Sequence, residues 1–341
     1  MNSLLDLISG FGRVCIIGMC KNAGKTAVLN KLISQCGKRE IPIGITAVGA
    51  DEAKAGSGEG SPSVFVSRGT LFTTTKELLK FCDITKEILL STDINTALGE
   101  VVVIRALSSG FLKLSGPSMN ADFPEITNFF LENGAEKVLI DGAGARKAVC
   151  IPALADGAIL CTGVGYDPNM SRVVSDTAHA AGLLCIGRLD DDRIREVIDE
   201  HRGHGVVLID KNGSAAVREL DVDEPRRELS ADIYAYFSGA LTDRVCETAQ
   251  TWIEPGREMT FVSDNAAKLM LTRETYEKLK AHGHRVLVLD SVKLACVCVN
   301  PKSTAGPDFD GERFLSEMRA AVKIPVIDVC SETGGADGFD Q

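Results

Sequence analysis

The sequence predicts an α/β fold: a mostly parallel sheet covered by helices, followed by a second, smaller α/β domain. Three observations carry this. Short apolar runs alternate with segments of helical period through the first half of the chain. One strand-to-helix turn, Gly18 to Thr26, has the residues of a phosphate-binding loop. After Asp190 the texture changes, and a charged link leads into a new set of strands and helices.

Met1 to Gly12 reads as a short amphipathic helix through Leu4, Leu5, Leu7 and Ile8. Val14 to Ile17 is an apolar strand ending at Gly18. Ala27, Val28, Leu29, Leu32 and Ile33 recur at helical spacing after the turn. In such a turn the first N–H groups of the helix face an anion, and the helix dipole favours negative charge there. Lys21, Asn22, Ala23, Gly24, Lys25, Thr26 and Ala27 are therefore candidate nucleotide-binding residues. Lys25 is expected to reach the terminal phosphates and the Thr26 hydroxyl to ligand Mg²⁺. The spacing is a variant, with five residues rather than four between Gly18 and Gly24.

Ile41 to Val48 is a second strand, running to Asp51, a third candidate metal ligand. Ala53 to Pro62 is a Gly/Ser loop suited to ordering around a bound triphosphate. A strand at Ser63 to Ser67, a helix at Leu71 to Cys82 and a strand at Lys86 to Ser91 follow. Glu100 to Leu107 and Phe111 to Ser115 read as a hairpin. A helix at Phe123 to Asn133 leads to the strand Lys137 to Asp141. That strand should bring the Asp141 carboxylate beside the loop to hold Mg²⁺ or its water, with Gly144 admitting the terminal phosphate. Lys25 and Asp141 are the candidate catalytic residues; Thr26, Asp51 and Asp141 are the candidate metal ligands. Strands at Gly157 to Thr162 and Leu183 to Gly187 flank a helix at Met170 to Ala181, closing a first domain over residues 1–190.

The second domain is expected over residues 195–335. Val206 to Asp210 and Ala215 to Leu220 form a hairpin around Asn212-Gly213. Helices at Ala231 to Thr251 and Ala266 to His282 flank a strand at Met259 to Ser263. Leu294 to Val299 is a strand, Phe309 to Val322 a helix and Pro325 to Val329 a last strand. Asn300-Pro301 follows a strand and reads as a turn or as a cap on a base.

The 341 residues carry a net charge of −10 and 45% hydrophobic residues. That acidity argues against a nucleic-acid role, which needs a basic face. No run of 18 apolar residues predicts a membrane span. Eleven cysteines, an odd number and mostly in apolar runs, fit buried free thiols in a reducing cytoplasm, and core packing is the expectation for Cys296 and Cys298.

Gly18 to Thr26, with Asp141-Gly142-Ala143-Gly144-Ala145, resembles the dethiobiotin-synthetase branch of P-loop NTPases, the class that includes dimerising ATPases and metal-insertion GTPases. The likeness covers about residues 10–190. It implies a P-loop NTPase fold, ATP and Mg²⁺ as cofactors, and a homodimer as one form. The branch has a substrate-handling lysine on its second strand, absent from Ile43 to Val48, and an adenine-reading Asn where Arg188, Leu189 and Asp190 stand here. Lys21 precedes Lys25 by four residues, where dimerising ATPases place a signature lysine five residues ahead. It serves phosphate in its own subunit, or reaches across a dimer, or is a solvated loop lysine. The guanine motif Asn-Lys-x-Asp is absent, which favours ATP.

The whole chain, through IGMCKNAGKT and the run from Glu100 to Leu107, is similar to a reactivating subunit of adenosylcobalamin-dependent lysine aminomutase. This implies an ATP hydrolase acting as a chaperone that exchanges damaged cobalamin on a partner enzyme, with the second domain binding or coupling to that client. The alternatives are an ATP-dependent ligase or kinase acting on a small molecule near Gly116 to Ser118, and a nucleotide-binding regulator with little turnover.

Overall fold

The computed structural model describes residues 3–49, 64–142, 149–203, 205–218, 232–304 and 306–330. The chain forms two compact units, one of residues 1–181 with 293–341 and one of residues 182–292.

The larger unit begins with α1 (Leu4–Leu7), capped by Ser3 and Asp6 in a reciprocal capping box. There follow β1 (Arg13–Gly18), α2 (Lys25–Lys38), β2 (Ile43–Ala47), β3 (Val64–Val66), β4 (Leu71–Thr75), β5 (Lys86–Thr96), β6 (Gly99–Ala106), β7 (Gly110–Leu112), α3 (Phe123–Glu132), β8 (Lys137–Asp141), β9 (Gly157–Gly163) and α4 (Met170–Leu184). The chain leaves this unit within α4. The smaller unit holds α5 (Asp192–Glu200), β10 (Val206–Asp210), β11 (Ala215–Arg218), β12 (Ile233–Phe237), β13 (Leu241–Thr242), α6 (Asp243–Gln250), β14 (Met259–Ser263), β15 (Leu269–Met270), α7 (Arg273–Ala281) and β16 (Arg285–Val288). The chain then returns through β17 (Lys293–Asn300), α8 (Gly311–Ala321) and β18 (Val326–Asp328).

Nine strands make the main sheet, in the order β18-β17-β9-β1-β8-β2-β4-β6-β5. All neighbours from β18 to β4 are parallel; β6 and β5 are antiparallel. The protein is thus mixed α/β with a large, mostly parallel sheet. β1 lies at its centre, and its residues Val14 to Ile17 have no exposed surface. A strand buried on both faces has to be apolar throughout, which is why this run shows no alternation. Val14 and Ile16 pack with Val28, Leu29, Leu32 and Ile33 of α2, and with Leu139 and Ile45 of the neighbouring strands. α3 covers β2 and β8 on the opposite side: a Cβ at Gly44 would stand 2.5 Å from the Phe130 ring, so that helix sits close only because residue 44 is glycine.

The smaller unit has a five-stranded sheet, β11-β10-β12-β14-β16, with β12, β14 and β16 parallel. Ile194 and Ile198 of α5 pack on Val207, Ile209, Tyr236 and Val262. Phe237 and Phe261 stack with centroids 6.0 Å apart.

Five expectations are corrected. Leu183 to Gly187 is not a strand, because α4 continues to Leu184. The second domain does not extend to residue 335: β17, α8 and β18 belong to the larger unit, because β17 pairs with β9 from Lys293 to Asn300. A fully apolar strand fits either sheet, and only the pairing decides. Leu71 to Cys82 is not a helix but β4 and a 3₁₀ turn, Lys76–Phe81. Three consecutive threonines favour the strand, and Thr73 donates to Thr46 across it at 2.7 Å. β6 pairs with β4 and β5, and β7 with β3, so the hairpin expected between Glu100 and Ser115 does not form. β5 and β6 form it instead, turning at Gly99, whose φ of 88° only glycine adopts readily. Ala231 to Thr251 and Ala266 to His282 are each broken. α6 starts after a Thr242 cap and α7 after a Thr272 cap, and the Ile-Tyr-Ala-Tyr-Phe run ahead of α6 forms β12.

The eleven cysteines are free, and Cys296 and Cys298 are core residues with sulfurs 3.9 Å apart. Among the described residues no helix is long and apolar enough to cross a membrane.

Candidate functional site

The candidate residues gather at the carboxyl edge of the main sheet, where β1 and β8 end. β1 stops at Gly18, and the Met19 N–H continues the ladder to the Cys161 carbonyl at 2.9 Å. The chain then reverses through two left-handed residues, Asn22 (φ 62°) and Gly24 (φ 96°). Gly24 is the N-cap of α2 and supplies no side chain to the helix. The first turn of α2 carries no acidic residue either. Its leading N–H groups are therefore available to an external anion.

Lys25 curls back over this turn. Its Nζ donates to the Cys20 carbonyl at 3.2 Å, and a Cβ at Gly18 would lie 3.1 Å from that nitrogen. Gly18 is thus fixed by the lysine's path. Ala23 is buried with the α2 core, so only its backbone can meet a ligand. Lys21, Asn22 and Ala27 are exposed, and Thr26 is half-buried.

Asp141 ends β8 opposite Ile16 of β1 and Ala47 of β2. Its backbone is fixed by Val48 N–H donating to its carbonyl at 2.9 Å. Leu139, two residues earlier, faces α2, so the Asp141 side chain projects on the same side as Lys25 and Thr26. Its Oδ1 is buried and accepts no hydrogen bond among the described residues. Burial lifts its pKa to about 6, and the positive charge of Lys25 opposes the rise. Asp141 and Lys25 are therefore brought together as expected from their motifs. Asp51 and Gly144 lie outside the described residues.

No family model, curated protein or solved structure matches the chain.

Two neighbours of the turn are plain only in three dimensions. A Cβ on Gly24 would stand 3.0 Å from Asn300 Cβ, so the end of β17 lies against the turn. Asn300 was legible as a strand-end residue, but nothing in the sequence shows which strand β17 joins. Its Oδ1 accepts from the Lys302 N–H at 3.1 Å and from the Cys330 thiol at 3.3 Å. Gly163 ends β9, and a Cβ there would stand 2.3 Å from the Asn300 carbonyl oxygen. The Gly163-Val164-Gly165 run was the available signal for this close approach.

The raised Asp141 pKa sets a pH dependence. Between its ordinary 3.8 and about 6, the folded chain holds a proton that the unfolded chain has released. Stability of the ligand-free protein therefore falls as pH rises through that window and levels above it, an effect of at most about 3 kcal/mol. Asp141→Asn should flatten the slope. Urea unfolding from pH 4 to 7 measures it, and an equal slope in both proteins would assign the effect elsewhere.

Proposed function

We propose that the chain is a P-loop NTPase that binds Mg-ATP at the Gly18–Thr26 turn. One observation carries this: the Lys25 ammonium stands at a helix start without a side-chain cap, beside a buried carboxylate whose Oδ1 has no donor among the described residues. A lysine and free N–H groups suit polyphosphate, and the buried acceptor suits a hard cation. The residues therefore fit Mg²⁺, with the Thr26 hydroxyl and the Asp141 carboxylate as its holders, directly or through water. Bound there, Mg²⁺ would neutralise charge on the phosphate oxygens.

The chain's own part is positioning. The α2 N–H groups fix the phosphates, and Lys25 leaves the Cys20 carbonyl to meet the terminal ones. Asp141 becomes fully ionised when a cation offsets its burial. Asn300 lies against Gly24 and borders the turn, and the absence of a guanine motif favours ATP.

Hydrolysis in the service of a protein client, as the likeness to aminomutase-reactivating subunits implies, is the reading we favour. A small-molecule ligase or kinase has one observation in its favour. Gly116 N–H and Ser115 Oγ both bond the Gly49 carbonyl, at 3.2 and 3.4 Å, which puts Gly116 to Ser118 one strand from Asp141. Against it, β2 carries no lysine.

Calorimetry with Mg-ATP, paired with phosphate release, tests the proposal. Asp141→Asn should bind ATP within about threefold of the parent and hydrolyse it at least about a hundredfold more slowly, since a charge at the metal matters most as phosphate charge develops. No heat of binding from the parent protein would end the NTPase reading. Binding with turnover driven by a small metabolite rather than by the mutase would favour the ligase.

A further inference from the structure

Eight large apolar side chains are exposed among the described residues, and four of them, Phe81, Ile88, Leu107 and Phe111, belong to one corner of the larger unit. Backbone bonds hold three of these together. Asp83 N–H donates to the Phe111 carbonyl at 2.9 Å, and Leu107 N–H donates to the Thr85 carbonyl at 2.8 Å. Phe111 also meets the Phe65 ring edge-on, with centroids 5.2 Å apart. The corner adjoins β5, an eleven-residue strand at the sheet's edge.

Its charge is opposite to that of the chain. Lys80 and Lys113 hold their ammonium groups 5.1 and 4.9 Å from the centre of the Phe81 ring. Neither they nor Arg68, tied to the same loop by its N–H to Ser109 Oγ at 3.3 Å, has a carboxylate partner among the described residues. Glu77, against Gly99, and Asp83 are the other acids of this segment; Glu87 and Glu100 are engaged by Arg105 and Lys76. A cationic, aromatic island on a protein of net charge −10 is not needed for solubility.

We propose that this corner docks an acidic, apolar segment of a partner protein. Carboxylates of the segment would face Lys80, Lys113 and Arg68, and its aromatic or branched aliphatic side chains would cover Phe81, Leu107 and Phe111. Aromatic and cationic residues together are the usual anchors of such contacts. A second copy of the chain is disfavoured, because two bodies of charge −10 repel at long range. A nucleic acid meets the same repulsion, and the aliphatic Leu107 and Ile88 offer no face for stacking bases. The inference is independent of the nucleotide site.

Random peptides displayed on phage, selected on the full chain and counter-selected on Lys80→Glu/Lys113→Glu, test it. Enriched peptides should be acidic with interspersed apolar residues. A synthetic peptide of that consensus should protect residues 81–88 and 107–113 from hydrogen exchange. Its affinity should fall at least about tenfold in the double variant and with rising salt. Circular dichroism checks that the variant is folded, Lys80 being exposed and Lys113 half-buried. Neutral or basic consensus sequences, or none, overturn the proposal. So does binding of a fluorescent oligothymidylate through the same lysines, or a dimer in sedimentation velocity that Phe111→Glu dissolves.

Discussion

Lys25→Ala is expected to lower Mg-ATP affinity at least about a hundredfold while the protein stays folded. The side chain serves the turn rather than the core. Its single hydrogen bond among the described residues is to the Cys20 carbonyl, and it is half-buried. Losing it leaves the Cys20 carbonyl without that donor. The electrostatic loss is larger. Lys25 is also the positive charge that opposes the rise in the Asp141 pKa, so its removal leaves that carboxyl harder to ionise, which bears on hydrolysis rather than on affinity. Calorimetry reads the affinity, and a urea midpoint close to that of the parent shows that folding is intact. Unchanged affinity would remove Lys25 from the site; a collapsed midpoint would make it a folding residue.

Lys137→Met should have the largest effect on stability, a loss of about 3 kcal/mol. Lys137 opens β8 with 8% of its surface exposed. Its Nζ donates to the carbonyls of Ile8, Ser9 and Phe11, at 3.2, 3.0 and 2.8 Å. Those carbonyls belong to the segment that follows α1, from its C-cap Ile8 to Phe11, so one buried ammonium ties the N-terminal segment to the sheet. Methionine keeps the volume and removes all three donors. The Ser9 and Phe11 carbonyls then have no other protein partner among the described residues, while Leu4, Leu5 and Ile8 remain packed on α2. Urea unfolding should show the loss, and hydrogen exchange should rise first in residues 4–11. A change below about 0.5 kcal/mol, the size of a surface substitution, would show that water satisfies those carbonyls equally well.

The same residue marks the limit of reading the chain alone. In Lys-Val-Leu-Ile-Asp, Lys137 looks like the polar start of a strand, because its three acceptors lie more than 120 positions away in the chain. Asp141, at the other end of the same strand, was legible. An acid that closes a buried apolar run and precedes glycine is a weak signal alone and a candidate ligand only when coupled to the Gly18 to Thr26 turn. What the sequence could not show is that Oδ1 lacks a donor among the described residues, since that depends on its neighbours in space.

Local physics determined the rest of what was readable. Period-two and period-3.6 patterns, the glycine turn at Gly24 and the Asn212-Gly213 hairpin are written in residues a few positions apart, and the strands and helices around the turn follow from them. Threonine-rich β4 and aromatic β12 were misread as helix because their periodicity is ambiguous over so few residues, and sheet pairing settled it. Only the tertiary structure decided that β17 returns to the first sheet beside β9. That pairing makes the smaller unit an insertion between α4 and β17 and sets Asn300 against Gly24. An apolar strand carries no label for its partner. Its place is chosen by hydrogen bonds and packing with residues more than a hundred positions distant, and the close approach of Gly163 to the Asn300 carbonyl is the mark of that choice.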